Sequence, residues 1–277
     1  MITSTANPTI KAIRRLADRR ERQQSGLFFV EGLRSVGEVI QKGWDIQWLI
    51  IAPELLISLF GQQLVETVSA RGNRILEVSE AVFRALSDRE GPQGIAAVGK
   101  QRWTDLDSVK LSPGDTWIAL DSVQDPGNLG TIMRTSDAAG CKGLILLDQS
   151  TDPYDPGSIR ASMGSIFSQQ LVKCSYASFA RWKREQQATV IGTSDKARQD
   201  YHAYRYPASL VVLMGSERMG LQEKHLALCD EVVTIPMHGS SDSLNLAVAT
   251  ALVVYEIYNQ RREAKNPEDE ATPGDEP

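Results

Sequence analysis

The sequence predicts an α/β protein in two parts, a small α/β domain followed by a larger one on a mostly parallel, doubly covered sheet. Three observations carry this. Short apolar runs rich in β-branched residues alternate with helical stretches along most of the chain. The alternation stops at residues 103–114 (WTDLDSVKLSPG), a polar stretch ending in Pro-Gly, and then restarts. Finally, 277 residues with 42% hydrophobic content suffice for two cores.

The chain opens with Ile10, Ile13, Leu16 and Ala17 at helical spacing among Lys11, Arg14, Arg15, Arg19, Arg20 and Arg22, so residues 1–22 read as one basic amphipathic helix. Its basic side is either a solvated face or an electrostatic contact for phosphates. FFVEG, IQWLIIA, RILEV and GIAAVGK read as strands of a small domain over 23–100, with helices around 35–41, 54–69 and 80–86 between them. Residues 101–114 form the linker. In 115–262 the strands TWIALD, GLILLD, QQLVKC, ATVIGTS, SLVVLMG and EVVTIP alternate with helices over LGTIMRTSDAAG, SIRASMGSIF, 178–187 and 222–228. A long apolar helix over 244–262 closes this domain, and residues 263–277 read as an acidic disordered tail.

The formal charge is −5, but five of the 35 acidic residues fall in the last twelve positions, which hold no base, so the remaining chain is formally neutral. A mild overall acidity therefore does not argue against a nucleic-acid partner; the placement of charge matters more. No apolar run is long enough to span a bilayer and the first residues lack a signal-peptide core, so a cytoplasmic protein is expected, with no membrane partner. Cys141, Cys174 and Cys229 are odd in number and far apart, which gives neither a disulfide framework nor a CxxC metal site. No GxSxG, HExxH or P-loop is present, and His202, His225 and His238 are isolated in polar surroundings that read as exposed.

Ligands of open α/β sheets sit at the carboxyl ends of strands, which singles out three loops. The first, DSVQDPGN after TWIALD, runs into a helix with Asn128 as its N-cap and Arg134 about two turns in, from where a long side chain can reach back. The second, GSERMG over 215–220, places Glu217 between two glycines, a pattern that suits close backbone approach to a ligand or a plain strand–turn–helix junction. In the third, a small-residue loop after Pro236 leads to Ser243 or Asn245 at the start of the last helix; a polar Asn245 there serves as a cap or a substrate contact.

In this order and spacing, DSVQDPGNLGTIMRTSDAAG, LMGSERMGL and IPMHGSSDSLNLAVATALVVYE resemble the three motifs of the SpoU (TrmH-type) RNA ribose 2′-O-methyltransferases of the SPOUT superfamily. IRASMGSIF, over 159–167, resembles that family too, and the part before residue 100 is similar to the small ribosomal-protein L30-type substrate-binding domain such enzymes carry. The resemblance implies a SPOUT-type α/β domain with a C-terminal trefoil knot, preceded by an L30-like α/β domain. It implies a homodimer that uses S-adenosylmethionine to methylate a ribose 2′-hydroxyl of structured RNA, most often ribosomal RNA. The alternatives are a transfer-RNA 2′-O-methyltransferase and a catalytically silent RNA-binding protein of the same fold. Carried over by position, the cofactor contacts are Gly215, Ile235, Leu244 and Thr193, and the chemistry residues are Asn128, Arg134, Glu217, Ser243 and Asn245. No metal is implied.

Overall fold

A computed structural model describes residues 1–72 and 74–265 of the chain. The acidic tail expected over 263–277 lies outside the described residues from 266 on; up to there the last helix simply continues. The chain forms two compact units that do not follow chain order. The first comprises Met1–Trp103, Asp125–Arg134 and Thr151–Gln169; the second comprises Thr104–Gln124, Thr135–Ser150 and the chain from Gln170 on.

In the first unit the expected single basic helix is two. Helix α1 (Pro8–Arg15) is capped by Asn7, whose side chain accepts the Thr9 N–H at 2.9 Å, with Pro8 fitted to the first turn. Helix α2 (Arg19–Ser25) starts afresh because Asp18 caps it, accepting the Arg20 N–H at 2.6 Å, and Gly26 stops it at φ +66°. Strands β1 (Leu27–Glu31), β2 (Ile46–Ile51), β3 (Ile75–Glu77) and β4 (Ile95–Lys100) form a mixed sheet in the order β1-β4-β2-β3. Helices α3 (Leu33–Gln41), α4 (Leu59–Ala70) and α5 (Glu80–Leu86) complete the alternation. Ile10, Ile13 and Leu16 of the amino-terminal arm pack with Ile50, Val82, Phe83 and Val98.

Arg22 corrects the reading of that arm as a uniformly solvated or phosphate-facing surface. It is 1% exposed, its Nε donates to Asp152 at 2.7 Å, its Nη2 to Asp155 at 3.1 Å, and its Nη1 to the carbonyls of Leu16 and Ala17. A charge so buried is tolerable only because its hydrogen-bonding positions on the guanidinium are filled. Phe28 stacks on Tyr154 and Phe167, and Trp44 meets Phe28 and Phe167 edge-on, in an aromatic cluster that makes 151–169 an integral part of this unit.

The second unit holds seven strands, all parallel: β5 (Thr116–Asp121), β6 (Gly143–Leu147), β7 (Gln170–Cys174), β8 (Val190–Thr193), β9 (Gln199–Asp200), β10 (Leu210–Met214) and β11 (Glu231–Thr234). Their order is β7-β6-β5-β10-β8-β11-β9. Every residue of β5, β6 and β10 is buried, as strands covered on both faces require. Trp117, Ile145, Val172, Phe179, Trp182, Val190 and Val211 form the core on one side, and the Trp182 indole donates to the Val109 carbonyl. Helices α8 (Tyr176–Gln186), α9 (Glu223–Leu226) and α10 (Leu246–Lys265) belong here; α7 (Pro156–Ser162) belongs to the first unit, and α6 (Pro126–Ala138) begins in the first and ends in the second. Strands β8 and β9 are consecutive in the chain, yet β11 lies between them, so the five residues 194–198 straddle β11. No helix among the described residues is long and apolar enough to cross a membrane.

Candidate functional site

Because the second sheet is entirely parallel, the carboxyl ends of β5, β10, β8 and β11 line up along one edge. That places Ser122, Gly215, Thr193 and Ile235 in neighbouring positions. Thr193 is half-buried with its hydroxyl 3.4 Å from the Met214 sulfur, and Ile235 is half-buried. Gly215 is buried, and a Cβ there would stand 2.1 Å from the Gly220 carbonyl carbon, so no other residue fits. The reason is the turn that follows: the Gly220 N–H donates to the Ser216 carbonyl at 3.0 Å, and Gly220 takes φ +58°. Both glycines thus close a turn that leaves Glu217, Arg218 and Met219 exposed at its tip.

That turn grips the first loop. Both Glu217 carboxylate oxygens accept the Gln124 N–H, at 3.2 and 3.3 Å, while the Gln124 side chain donates to the carbonyls of Ser122 and Gln149. Ser122 adopts φ +53°, a conformation that needs such support outside glycine. Sequence reasoning missed Gln124, since a polar side chain in a polar loop carries no periodic signal.

The chain then enters α6. Asn128 is not its N-cap. Asp125 is, accepting the Asn128 N–H at 2.6 Å with Pro126 in the first helical position; the Asp-Pro-Gly order could have shown it. Six residues separate Asn128 from Arg134, which puts them about 9 Å apart along the axis and roughly 120° apart around it. Thr131, exposed, stands midway between them at i, i+3, i+6 spacing. Gly130 lets this helix lie close on α7 within the first unit, for a Cβ there would stand 2.5 Å from the Ser158 carbonyl oxygen. Arg134 is exposed and makes no ion pair among the described residues.

In the third loop Ser243, Leu244 and Asn245 are exposed. Asn245 resolves as the cap of α10, its side-chain oxygen accepting the N–H of Ala247 at 2.8 Å and of Val248 at 3.3 Å; Ser243 precedes it in the loop. The structure thus gathers Thr193, Gly215, Glu217, Ile235, Ser243, Leu244 and Asn245 in the second unit, while Asn128 and Arg134 belong to the first.

His225 was expected at the surface and is 1% exposed. Its Nδ1 accepts the Gln222 N–H at 3.2 Å, its ring meets Tyr176 edge-on, and its Nε2 lies 3.6 Å from Asp121 Oδ2. Burial pushes its pKa below the ordinary imidazole value, against the opposing pull of Asp121. The signal was its place on an apolar face, four residues after Leu221 and three before Leu228. His202, which lies 2.9 Å from Glu256, and His238 are exposed.

Residues 115–255 match the SpoU rRNA Methylase family, and residues 7–97 match the MRM3-like substrate binding domain. The chain is 31% identical to a 23S rRNA (uridine(2479)-2′-O)-methyltransferase of Streptomyces viridochromogenes, with 89% of this chain and 87% of that protein covered. It is 30% identical to a 23S rRNA (guanosine(2553)-2′-O)-methyltransferase of Bacillus subtilis, covering 92% of this chain and 98% of that one. The crystal structure of an AdoMet-bound rRNA methyltransferase from Sinorhizobium meliloti superposes with a TM-score of 0.86 at 37% identity, over 95% of this chain and 97% of that one.

Proposed function

The chain belongs to the SpoU rRNA methylase family, and from that premise we propose that it methylates a ribose 2′-hydroxyl of ribosomal RNA with S-adenosylmethionine. The observation that carries the reading is the grip of Glu217 on the Gln124 N–H, which joins two motif loops at the carboxyl edge where Thr193, Gly215 and Ile235 meet.

The residues present fit the cofactor. A flat purine with polar edges suits backbone groups of a tight turn, closed here at Gly215, with Ile235 and exposed Leu244 to cover its faces and Thr193 beside them. When bound, S-adenosylmethionine supplies an electrophilic methyl group on a sulfonium whose departure leaves a neutral thioether. The protein's own task is to place the 2′-oxygen and help it shed its proton. The guanidinium of Arg134 carries N–H donors and no acceptor, so it is not the base. It holds an RNA phosphate and stabilises negative charge growing on the 2′-oxygen, and the proton leaves to a neighbour or to water. Asn128 and Ser243 orient the arginine and the sugar, Glu217 fixes the first loop, and Asn245 fixes the start of α10.

Val248, Tyr255 and Tyr258 leave an exposed apolar stripe along α10, which supports a homodimer in which Arg134 and the cofactor come from different subunits. The straddling of β11 by 194–198 supports a trefoil knot. Residues 23–100 bind the RNA substrate, with 101–114 as linker to the methyltransferase part over 115–262, and the protein works in the cytoplasm. In the basic arm Lys11, Arg14, Arg15, Arg19 and Arg20 are exposed for phosphates and Arg22 is not.

The test is calorimetric binding of S-adenosylmethionine followed by labelled methyl transfer to separate ribosomal and transfer RNA. Binding with transfer to ribosomal RNA is expected. Transfer to transfer RNA alone moves the substrate, and absence of cofactor binding sinks the enzyme reading.

A further inference from the structure

Asp121, the first residue of the first motif, and His225, which lies beyond the second, form a buried pair. Asp121 ends β5, immediately before the left-handed Ser122, and His225 sits in α9, directly after the 215–220 turn. Their side chains are 9% and 1% exposed. Since Nδ1 of His225 accepts the Gln222 N–H, the proton of the neutral ring resides on Nε2, which stands 3.6 Å from the Asp121 carboxylate. At 3.6 Å the contact is longer than a hydrogen bond, and Nε2 is buried with no hydrogen-bond partner among the described residues. A buried N–H without an acceptor is costly and persists only where something else holds the surroundings. Here the Tyr176 ring edge and the Gln222 N–H fix the imidazole, while Asp121 also accepts the Ser122 hydroxyl at 3.2 Å.

Resting on the methyl-transfer reading, we propose that His225 is a positioning residue: its Nε2–H closes onto Asp121 when the cofactor fills the edge at the 215–220 turn, and so fixes the loop leading to Asn128 and Arg134. The gap to close is only about 0.6 Å, and such contacts commonly tighten in the working complex. The first loop is then gripped at two places from the chain that follows β10, by Glu217 on Gln124 at the exposed tip and by His225 on Asp121 at the buried root. A cofactor that settles the turn settles both grips together. His225 acts through Asp121 and the first loop, without touching substrate.

The test uses the full chain. Affinity for S-adenosylmethionine is measured by calorimetry, and kcat and KM by methyl transfer to ribosomal RNA. His225→Phe keeps a ring against Tyr176 but loses the N–H; kcat is expected to fall about tenfold or more while cofactor affinity stays within about threefold. His225→Gln, whose amide can donate, is expected to recover most of that loss. Combining His225→Phe with Asp121→Asn is expected to cost no more than the worse single change, as for groups acting as a unit. The proposal is overturned if His225→Phe leaves kcat within about twofold of the unaltered protein, or if the two changes multiply independently. Should His225→Phe lose its thermal transition, Asp121→Asn and His225→Gln decide on the same criteria. Failure of the unaltered protein to bind S-adenosylmethionine is a different result, and it overturns the methyl-transfer reading beneath the proposal.

Discussion

The two units hold themselves together by different chemistry. The second is built on central strands, β5, β6 and β10, that are buried throughout and almost wholly apolar. The first has a smaller, mixed sheet, and its arm and the 151–169 segment are joined through a buried guanidinium and two carboxylates beside an aromatic cluster. Interior apolar strands specify a scaffold whatever their exact partners, whereas a buried ion pair demands one arrangement. The first motif shows the same division within fifteen residues: its loop up to Gln124 belongs to the apolar scaffold, and the turn from Asp125 to Arg134 belongs to the other unit. Thr193, Gly215, Ile235 and Leu244 thus lie in the unit built on apolar strands, and Arg134 in the unit with the buried ion pair.

The sharpest way to break this comparison is at Arg134. Arg134→Ala is expected to lower methyl transfer by about 10² to 10³, the size of a lost charge-stabilising donor, with cofactor affinity within a few-fold. Survival of activity would remove the arginine from the chemistry. Next in size is Arg22→Met, which strands Asp152 as a buried charge; the first unit should lose about 3–5 kcal/mol, and calorimetric melting should show its transition falling ahead of the second unit's. A single unshifted transition would refute the idea that this ion pair is its fastening. Gly215→Ala forces apart a turn with no room for a Cβ, at about 1–3 kcal/mol, and cofactor affinity should drop with it. An unchanged dissociation constant would detach Gly215 from the cofactor. The smallest effect belongs to Asn245→Ala, about 1 kcal/mol of cap loss that Asn245→Asp should restore. If the Asp variant regains its melting temperature but not its activity, the amide serves more than the cap.

Legibility followed the same line. Six of the seven strands of the second sheet were readable because runs such as TWIALD, GLILLD and SLVVLMG are apolar for local reasons, and three glycine- and proline-marked loops interrupt them at fixed places; β9, two polar residues, carries no such signal. Arg22 was not readable as a core residue, because its partners Asp152 and Asp155 lie about 130 positions away and nothing near it marks burial. Nor does local sequence mark that 125–134 and 151–169 group with the first unit, the latter through long-range contacts such as Trp44 to Phe167. The break between α1 and α2 was locally encoded by Asp18, but the apolar spacing of Leu16 and Ala17 ran over it. At the site, residue types and loops were legible. What was not legible was Asp125 in place of Asn128 as cap, and the burial of His225 against Asp121.

The placement of β10 and β11 also bears on how the molecule is made. Both are interior strands of the second sheet, yet both come late in the chain: β10 fills the gap between β5 and β8, and β11 the gap between β8 and β9. During synthesis β5 and β8 must therefore wait with unpaired edges until more than 210 residues have emerged, and a chain ending before β11 cannot finish the sheet at all. Late insertion of parallel strands is slow, because the loop entropy is lost before the pairing rewards it. The exposed edges of that interval are where a nascent chain is most open to aggregation and most in need of a chaperone.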